Sequence, residues 1–227
     1  MMITDYPKWL FKQTRIFHMT AIDNLPNIFA SGGLLAKNML SASEVNYTNV
    51  AYEGIQDMRH RITLPNGNNL HDYVPFHFAP RSPMLFAIAD GIIGNCTTKQ
   101  EDMIYFVSYA EQFTNNNFVF CDHHPIMQPQ VTWYDDLSQL DQLDWDIFFE
   151  PPLLGEYAKI WQDRPENVRW ANRKSKRMAE FLIYQKVDLA DIIGFAVINE
   201  EMKQKLDFLC KKYGIDLPII IRREWYK

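Results

Sequence analysis

Residues 73–85 read Tyr73-Val74-Pro75-Phe76-His77-Phe78-Ala79-Pro80-Arg81-Ser82-Pro83-Met84-Leu85. The bulky run from Tyr73 to Phe78 suits a strand. Pro80-Arg81-Ser82-Pro83 then turns the chain, and a short apolar helix, Met84 to Ala89, follows with Pro83 at its start. Upstream, Arg15-Ile16-Phe17-His18-Met19 reads as another strand, after which Ile22, Leu25, Ile28 and Phe29 fall at helical spacing. Thr20, with Asp23 three residues on, supplies an N-cap for that helix, and Gly32-Gly33 supplies its stop. Residues 41–72 carry no sustained period, so loop is expected there, apart from a short helix around Val50 to Met58 and a turn at Pro65-Asn66-Gly67. Downstream, strands are expected at Met103–Ser108, Phe118–Cys121, Phe181–Tyr184, Ile192–Ile198 and Leu217–Ile221. Between the last two, Met202, Leu206, Leu209, Cys210 and Tyr213 share one face of a helix, Glu200 to Tyr213, that Gly214 ends. Strands scattered among few helices, without regular βαβ alternation, predict an α+β fold.

The chain has 227 residues, 47% of them hydrophobic and 14% aromatic. That length fits one domain spanning 1–227, with core volume to spare, and excludes disorder and coiled coil. The net charge is −5, so a passive nucleic-acid coat is not expected and any such binding must come from a local patch. Met1 to Lys8 offers no apolar run for a signal peptide, and nowhere do 18 apolar residues run together. Three widely spaced cysteines, Cys96, Cys121 and Cys210, fit neither a disulfide framework nor a thiolate zinc site. A cytoplasmic protein with no membrane segment is the expectation.

The sharpest shift in composition lies between Asp135 and Arg177. Residues 135–156 hold seven acids and no Lys or Arg, whereas 159–177 hold seven bases and two acids, giving −7 followed by +5. One reading is two solvated faces that pair with each other. The other uses Tyr157, Trp161 and Trp170, interleaved with Arg169, Arg173 and Lys174: cations that track phosphates beside rings that stack on unpaired bases. On the second reading 135–177 is an inserted substrate-binding region, with Arg81 as a further contact.

Common templates are missing. No GxxxxGK[ST] or GxGxxG cradles a phosphate, and no GxSxG, HExxH or kinase signature is present. Cys121-Asp122-His123-His124 carries metal-ligand residue types, but neighbours on a strand point to opposite faces and no distant partner has diagnostic spacing, so no metal is expected.

Four stretches, taken together, resemble the DarT family of DNA ADP-ribosyltransferase toxins. They are Phe17-His18-Met19-Thr20 with Asn24-Leu25 and Gly32-Gly33-Leu34; Ile55-Gln56-Asp57-Met58-Arg59; Asp72 to Leu85; and Arg177-Met178-Ala179-Glu180-Phe181-Leu182-Ile183. The similarity runs from about Arg15 to Val197. It implies a compact ADP-ribosyltransferase fold with a central, mostly antiparallel split sheet flanked by helices. It also implies an enzyme that splits NAD+ and moves ADP-ribose onto a base, thymidine or guanosine, in single-stranded DNA. A macrodomain antitoxin of the DarG type is the implied partner.

Carried over by position, His18 and Thr20 match the element that holds the nicotinamide-side ribose and amide, with Asn24 and Leu25 continuing the NAD+ wall. Arg59 matches the essential arginine, with Arg61 as the neighbouring alternative, and Glu180 matches the catalytic glutamate. Independently of the resemblance, a carboxylate opening the apolar run Glu180-Phe181-Leu182-Ile183 is costly to bury without a partner or a task. Two departures from the family's usual wording are His77, where tyrosine is usual, and Asp122-His123-His124-Pro125 after the strand ending near Cys121. Both bear on the choice of target base. The competing readings are transfer to protein, RNA or water, and a non-catalytic module that binds NAD+ or nucleic acid.

Overall fold

The computed structural model describes residues 6–7, 10–42, 47–93 and 96–227. Parts of the amino-terminal stretch and of the expected 41–72 loop, namely 1–5, 8–9 and 43–46, lie outside the described residues.

Twelve strands are described: β1 (Arg15–Ala21), β2 (Gly33–Leu35), β3 (Tyr73–His77), β4 (Met103–Tyr109), β5 (Phe118–Cys121), β6 (Trp133–Tyr134), β7 (Leu153–Leu154), β8 (Tyr157–Ala158), β9 (Glu180–Tyr184), β10 (Lys186–Asp188), β11 (Gly194–Val197) and β12 (Ile219–Ile221). The α-helices are α1 (Leu25–Ala30), α2 (Lys37–Ala42), α3 (Glu53–His60), α4 (Pro83–Ala89), α5 (Asp146–Phe149), α6 (Arg173–Arg177) and α7 (Glu200–Tyr213). Eight strands form one sheet in the order β12-β11-β4-β1-β3-β9-β5-β6, and among its pairings only β11 with β12 is parallel. This is the α+β, mostly antiparallel sheet that the sequence leads one to expect.

The sheet is split in its middle. β1 pairs with β4 over its whole length, but with β3 only at Phe17 and His77. Pro75 supplies a reason: it sits in β3 without an N–H to give to β1, and its carbonyl is taken by the His18 ring at 2.8 Å. The two halves therefore diverge beyond Phe17, and the space between them opens beside His18. Phe17, Phe76, Phe106, Phe113, Phe120 and Phe181 fill the main core, while Leu182 turns to a smaller cluster with Leu64, Leu70, Tyr73 and Val119 on the other face. Alternation along β9 thus covers both faces of the sheet.

Thr20 does not cap a helix. It lies within β1, a 3-10 turn at Ile22–Asn24 intervenes, and α1 starts with Pro26 in its first turn and no side-chain cap. Ser82, in contrast, caps α4 by accepting from the Leu85 amide.

Several of the basic residues expected at DNA are engaged within the chain. Arg81 is buried with φ +61°; it donates to the Tyr226 and Glu224 carbonyls and lies 5.0 Å from the Phe86 ring centroid. It fastens the carboxy-terminal segment, where Trp225 and Tyr226 are buried. The acidic and basic stretches, for their part, pair with each other. Arg169 meets Asp146 at 2.6 Å, Lys176 meets Asp144 at 2.7 Å, and Arg173, buried, meets Glu150 at 3.5 Å. The physical reason is proximity: α5 and α6 pack together, and a buried cation needs a nearby anion. Arg169 and Arg173 are thus engaged with carboxylates of the acidic stretch, and part of the +5 surplus is balanced inside the chain.

Candidate active site

The split in the sheet is one wall of a cleft. β1 contributes His18 and Thr20, β2 contributes Gly33, Leu34 and Leu35, and α3 contributes Gln56 and Arg59. Lys37, Thr48, His71, Tyr73 and Pro75 complete much of the remainder. β2 is held against β10 so closely that a Cβ on Gly33 would lie 2.1 Å from the Val187 carbonyl oxygen. Only glycine permits that approach.

His18 is fixed by its bond to Pro75. A carbonyl only accepts, so Nδ1 carries the proton and the neutral ring leaves Nε2 as an acceptor. Burial, reinforced by nearby His77 and opposed by the Pro75 bond, brings His18 down to about 4, so the ring stays neutral at physiological pH. Asn24 Nδ2 donates to Thr20 Oγ1 (3.0 Å) and to the Thr48 carbonyl (3.0 Å), while its Oδ1 accepts the Thr48 amide (2.7 Å). Both of its amide donors and one acceptor site of its oxygen tie residue 48 to the end of β1.

Arg59 is the only buried residue of α3. It is held there by charge: Nη1 donates to Glu180 Oε1 (2.7 Å) and Nη2 to Oε2 (3.0 Å), a planar two-point pair across 121 positions of sequence. Both side chains are nearly sealed, at 8% and 4% exposure, so neither charge is left to water. Burial by itself would raise the Glu180 carboxyl, but Arg59 outweighs it, with His77 and His124 assisting, and Glu180 lies below its ordinary value. The carboxylate is ionised.

The cleft therefore gathers His18, Thr20, Asn24 and Arg59, and Glu180 stands directly behind Arg59 instead of on the lining. Arg59 and not Arg61 reaches the glutamate; Arg61 is exposed. Leu25 is not brought to the cleft: it is fully buried in the main core. Of the aromatic and basic residues of 159–177, Trp161 packs on Phe86 (5.1 Å), and Trp170 lies against the guanidinium groups of Arg164 and Arg173 (4.6 and 4.7 Å). Lys174 is exposed, its amide bonded to Asp163 (2.8 Å).

Several lining residues carry no signal along the chain. Lys37 donates to Gln56 (2.8 Å) and has no carboxylate partner among the described residues; burial first, then Arg59, lower it. His71, buried and held down to about 4 by burial and then by Lys37 and Arg59, lies beside it. Neither residue belongs to a recognisable spacing, and only the approach of α2 and of the turn before β3 to the cleft marks them. Among the described residues no three His, Cys, Asp or Glu side chains converge as for a metal ion. Cys121 Sγ turns to the His123 and Glu180 carbonyls, and His123 pairs with Asp122.

The arrangement fits a dinucleotide. A neutral acceptor and a hydroxyl at His18 and Thr20 suit an amide and a ribose, apolar Leu34 and Tyr73 suit a ring, and Lys37 suits a diphosphate. Comparison with known proteins agrees. The family described as "ssDNA thymidine ADP-ribosyltransferase, DarT" matches residues 17–227. A DNA ADP-ribosyl transferase of Thermus sp. (strain 2.9) is 35% identical over 219 residues, covering 94% of this chain and 96% of that protein. The solved structure of Thermus sp. 2.9 DarT in complex with ADP-ribosylated ssDNA superposes with a TM-score of 0.83 at 33% identity, covering 100% of both chains. The same protein in complex with NAD+ gives 0.77 at 31% identity, over 98% of this chain and 100% of that one. The chain thus belongs to the DarT family of NAD-dependent DNA ADP-ribosyltransferases.

Proposed function

We propose that this chain transfers ADP-ribose from NAD+ to the thymine of single-stranded DNA and releases nicotinamide, with Glu180, Arg59, His18 and Thr20 carrying the reaction. The observation that supports it most is the buried Arg59–Glu180 pair at the cleft wall that His18 and Thr20 share. Breaking the nicotinamide–ribose bond builds positive charge on the sugar, and an ionised, desolvated carboxylate stabilises it far better than water does. Arg59 holds that carboxylate ionised and in place. His18 Nε2 and the Thr20 hydroxyl orient the nicotinamide half, and Lys37 faces the diphosphate. Nicotinamide departs neutral, so its exit requires no acid.

On the DNA side, Arg81, Arg169 and Arg173 are already engaged within the chain, and Trp161 and Trp170 are partly covered. Lys174, exposed on α6 just ahead of Glu180, is the phosphate contact among the basic residues of this helix. The reading extends to residues 1–227 acting as one unit, in the cytoplasm, opposed by a macrodomain partner of the DarG type; no helix among the described residues is long and apolar enough to cross a membrane. Incubation with NAD+ and oligonucleotides with and without thymine, followed by mass spectrometry, tests it. ADP-ribose appears on thymine; label on protein alone overturns the assignment.

A further inference from the structure

The β3–β9 ladder ends at His77 and Glu180, so the carboxylate behind the cleft wall sits on the first residue of its strand. Strand ends are where a ladder opens first, yet Glu180 meets Arg59 at two points. Beyond that pair the backbone ladder stops. Residues 78–81 bend away, Pro80 has no N–H, and Met178 and Ala179 give their amides to the Ser175 and Lys176 carbonyls of α6. Carried three residues past Glu180, the same register sets Pro80 opposite Arg177, and there a side chain takes over. Arg177 Nη2 donates to the Pro80 carbonyl at 2.9 Å, across 97 positions of sequence. The turn that it grips is anchored on two other sides. Ser82 caps α4, and Arg81 donates to the Glu224 and Tyr226 carbonyls.

For stability alone a guanidinium is an unfavourable choice there. Arg177 is fully buried, and among the described residues no carboxylate pairs with it. Its Nε and Nη1 are buried without a hydrogen-bond partner, and the rings of Phe148 and Tyr157 face its charge at 5.3 and 6.0 Å. Burial, opposed by Tyr157 and Tyr105 and reinforced by Arg173 and Arg81, brings it down to about 9, which still leaves a cation at neutral pH. A buried cation without a counter-ion lowers stability, and an apolar side chain of similar volume packs in its place as well or better. What Arg177 does reach is the pair of turns that flank the His77–Glu180 end of the ladder. Resting on the functional reading above, we infer that Arg177 is a positioning residue for Glu180. By clamping the turn before α4 to the turn before β9 it fixes the first residue of β9, so that the carboxylate stands where Arg59 and the ribose of NAD+ both reach it. Arg177 does not line the cleft and acts only through Glu180. A carboxylate displaced by about 1 Å forfeits on the order of 10²-fold in rate.

Arg177→Met keeps a long, unbranched side chain and removes both the donor and the charge. Compared with wild type on a single-stranded oligonucleotide with one thymine, it is expected to hold or raise the thermal midpoint and to leave the KM for NAD+ near the wild-type value, while kcat falls roughly 10²-fold. Arg177→Lys, which returns a charged donor to the Pro80 carbonyl, recovers much of that kcat. A second readout does not depend on turnover. The carboxylate infrared band of Glu180, isolated by subtracting the spectrum of each enzyme's Glu180→Gln form, shifts in Arg177→Met as the two-point pairing loosens, and moves back in Arg177→Lys. Should Arg177→Met fold poorly, Arg177→Ala with methylguanidinium in solution takes its place: restored kcat supports the inference, and a restored midpoint without kcat overturns it. An unchanged kcat in Arg177→Met, a band that stays in place, or a loss of kcat that only follows a lower midpoint also overturns it. Wild-type enzyme that labels no thymine overturns the functional reading instead, and the Arg177 comparison is then decided by nicotinamide release and the infrared band.

Discussion

On the functional reading proposed above, the Arg59–Glu180 ion pair serves stability and chemistry together. Each is buried, so removing either partner leaves a charge without water or counter-ion, a loss on the order of 3–5 kcal/mol. Arg59→Ala is therefore expected to lower the thermal midpoint and to raise the Glu180 carboxyl, because the surrounding desolvation then acts unopposed. Calorimetry with and without the substitution, together with an infrared carboxyl band that appears near neutral pH, measures both effects. Glu180→Gln keeps the shape and part of the bonding to Arg59. It is expected to retain most of the stability yet to lose about 10²–10³-fold in transfer rate, as when one electrostatic contact to a developing charge is removed. Equal losses in stability for the two variants, with activity retained in Glu180→Gln, would contradict the assignment.

At the scale of elements, the short β2–β10 ladder matters more than its length suggests. It carries Leu34 and Leu35 to the cleft, and Gly33 is its point of closest backbone approach. Gly33→Ala places a methyl against the Val187 carbonyl, which a backbone ladder cannot yield cheaply. A destabilisation of about 1–3 kcal/mol is expected, together with weaker NAD+ binding, read by denaturant melts and by titration calorimetry. A glycine in an open turn makes the control: at Gly214 a Cβ meets nothing within 4 Å, and there only the left-handed φ of +69° is at issue. The same scale shows why some elements were legible and others not. β1, β3, β4, β5, β9 and β11 are bulky runs, and α7 repeats an apolar face with Asn199 and Gly214 as caps, so composition alone locates them. β2, β7, β8 and β10 are two or three residues long, too short to show a period, and exist because a partner strand is at hand.

For the whole molecule, acid is the expected weakness. His18, His71 and His124 are each brought down to about 4, chiefly by burial, whereas in the unfolded chain they titrate near the ordinary 6.5. Between those values the unfolded state binds more protons, so stability is complete above about pH 6.5 and is lost as the pH falls toward 4. Glu180, also lowered, adds to the loss below the usual carboxylate range. Thermal midpoints measured from pH 7.5 to 4.5 should therefore fall steadily; a maximum near pH 5 would mean that these rings are not buried in neutral form. Internal neutralisation of the acidic and basic stretches bears on binding as well. With Arg169, Arg173 and Lys176 paired to Asp146, Glu150 and Asp144, few cations remain for phosphates, and DNA affinity should depend on salt less steeply than the +5 stretch alone suggests.

The amino-acid sequence by itself determined the bulky strands, the long amphipathic helix, the α+β class and, through the His18, Thr20, Arg59 and Glu180 stretches, the family. These rest on local pattern, which is written residue by residue. Tertiary structure alone decided that Arg59 meets Glu180, that Arg81 fastens the carboxy-terminal end, that the acidic and basic stretches pair with each other, and that Lys37, His71, His77 and His124 lie in the surroundings of the Arg59–Glu180 pair. Charges pair with whatever the fold brings within a few ångströms, and no spacing along the chain encodes that distance.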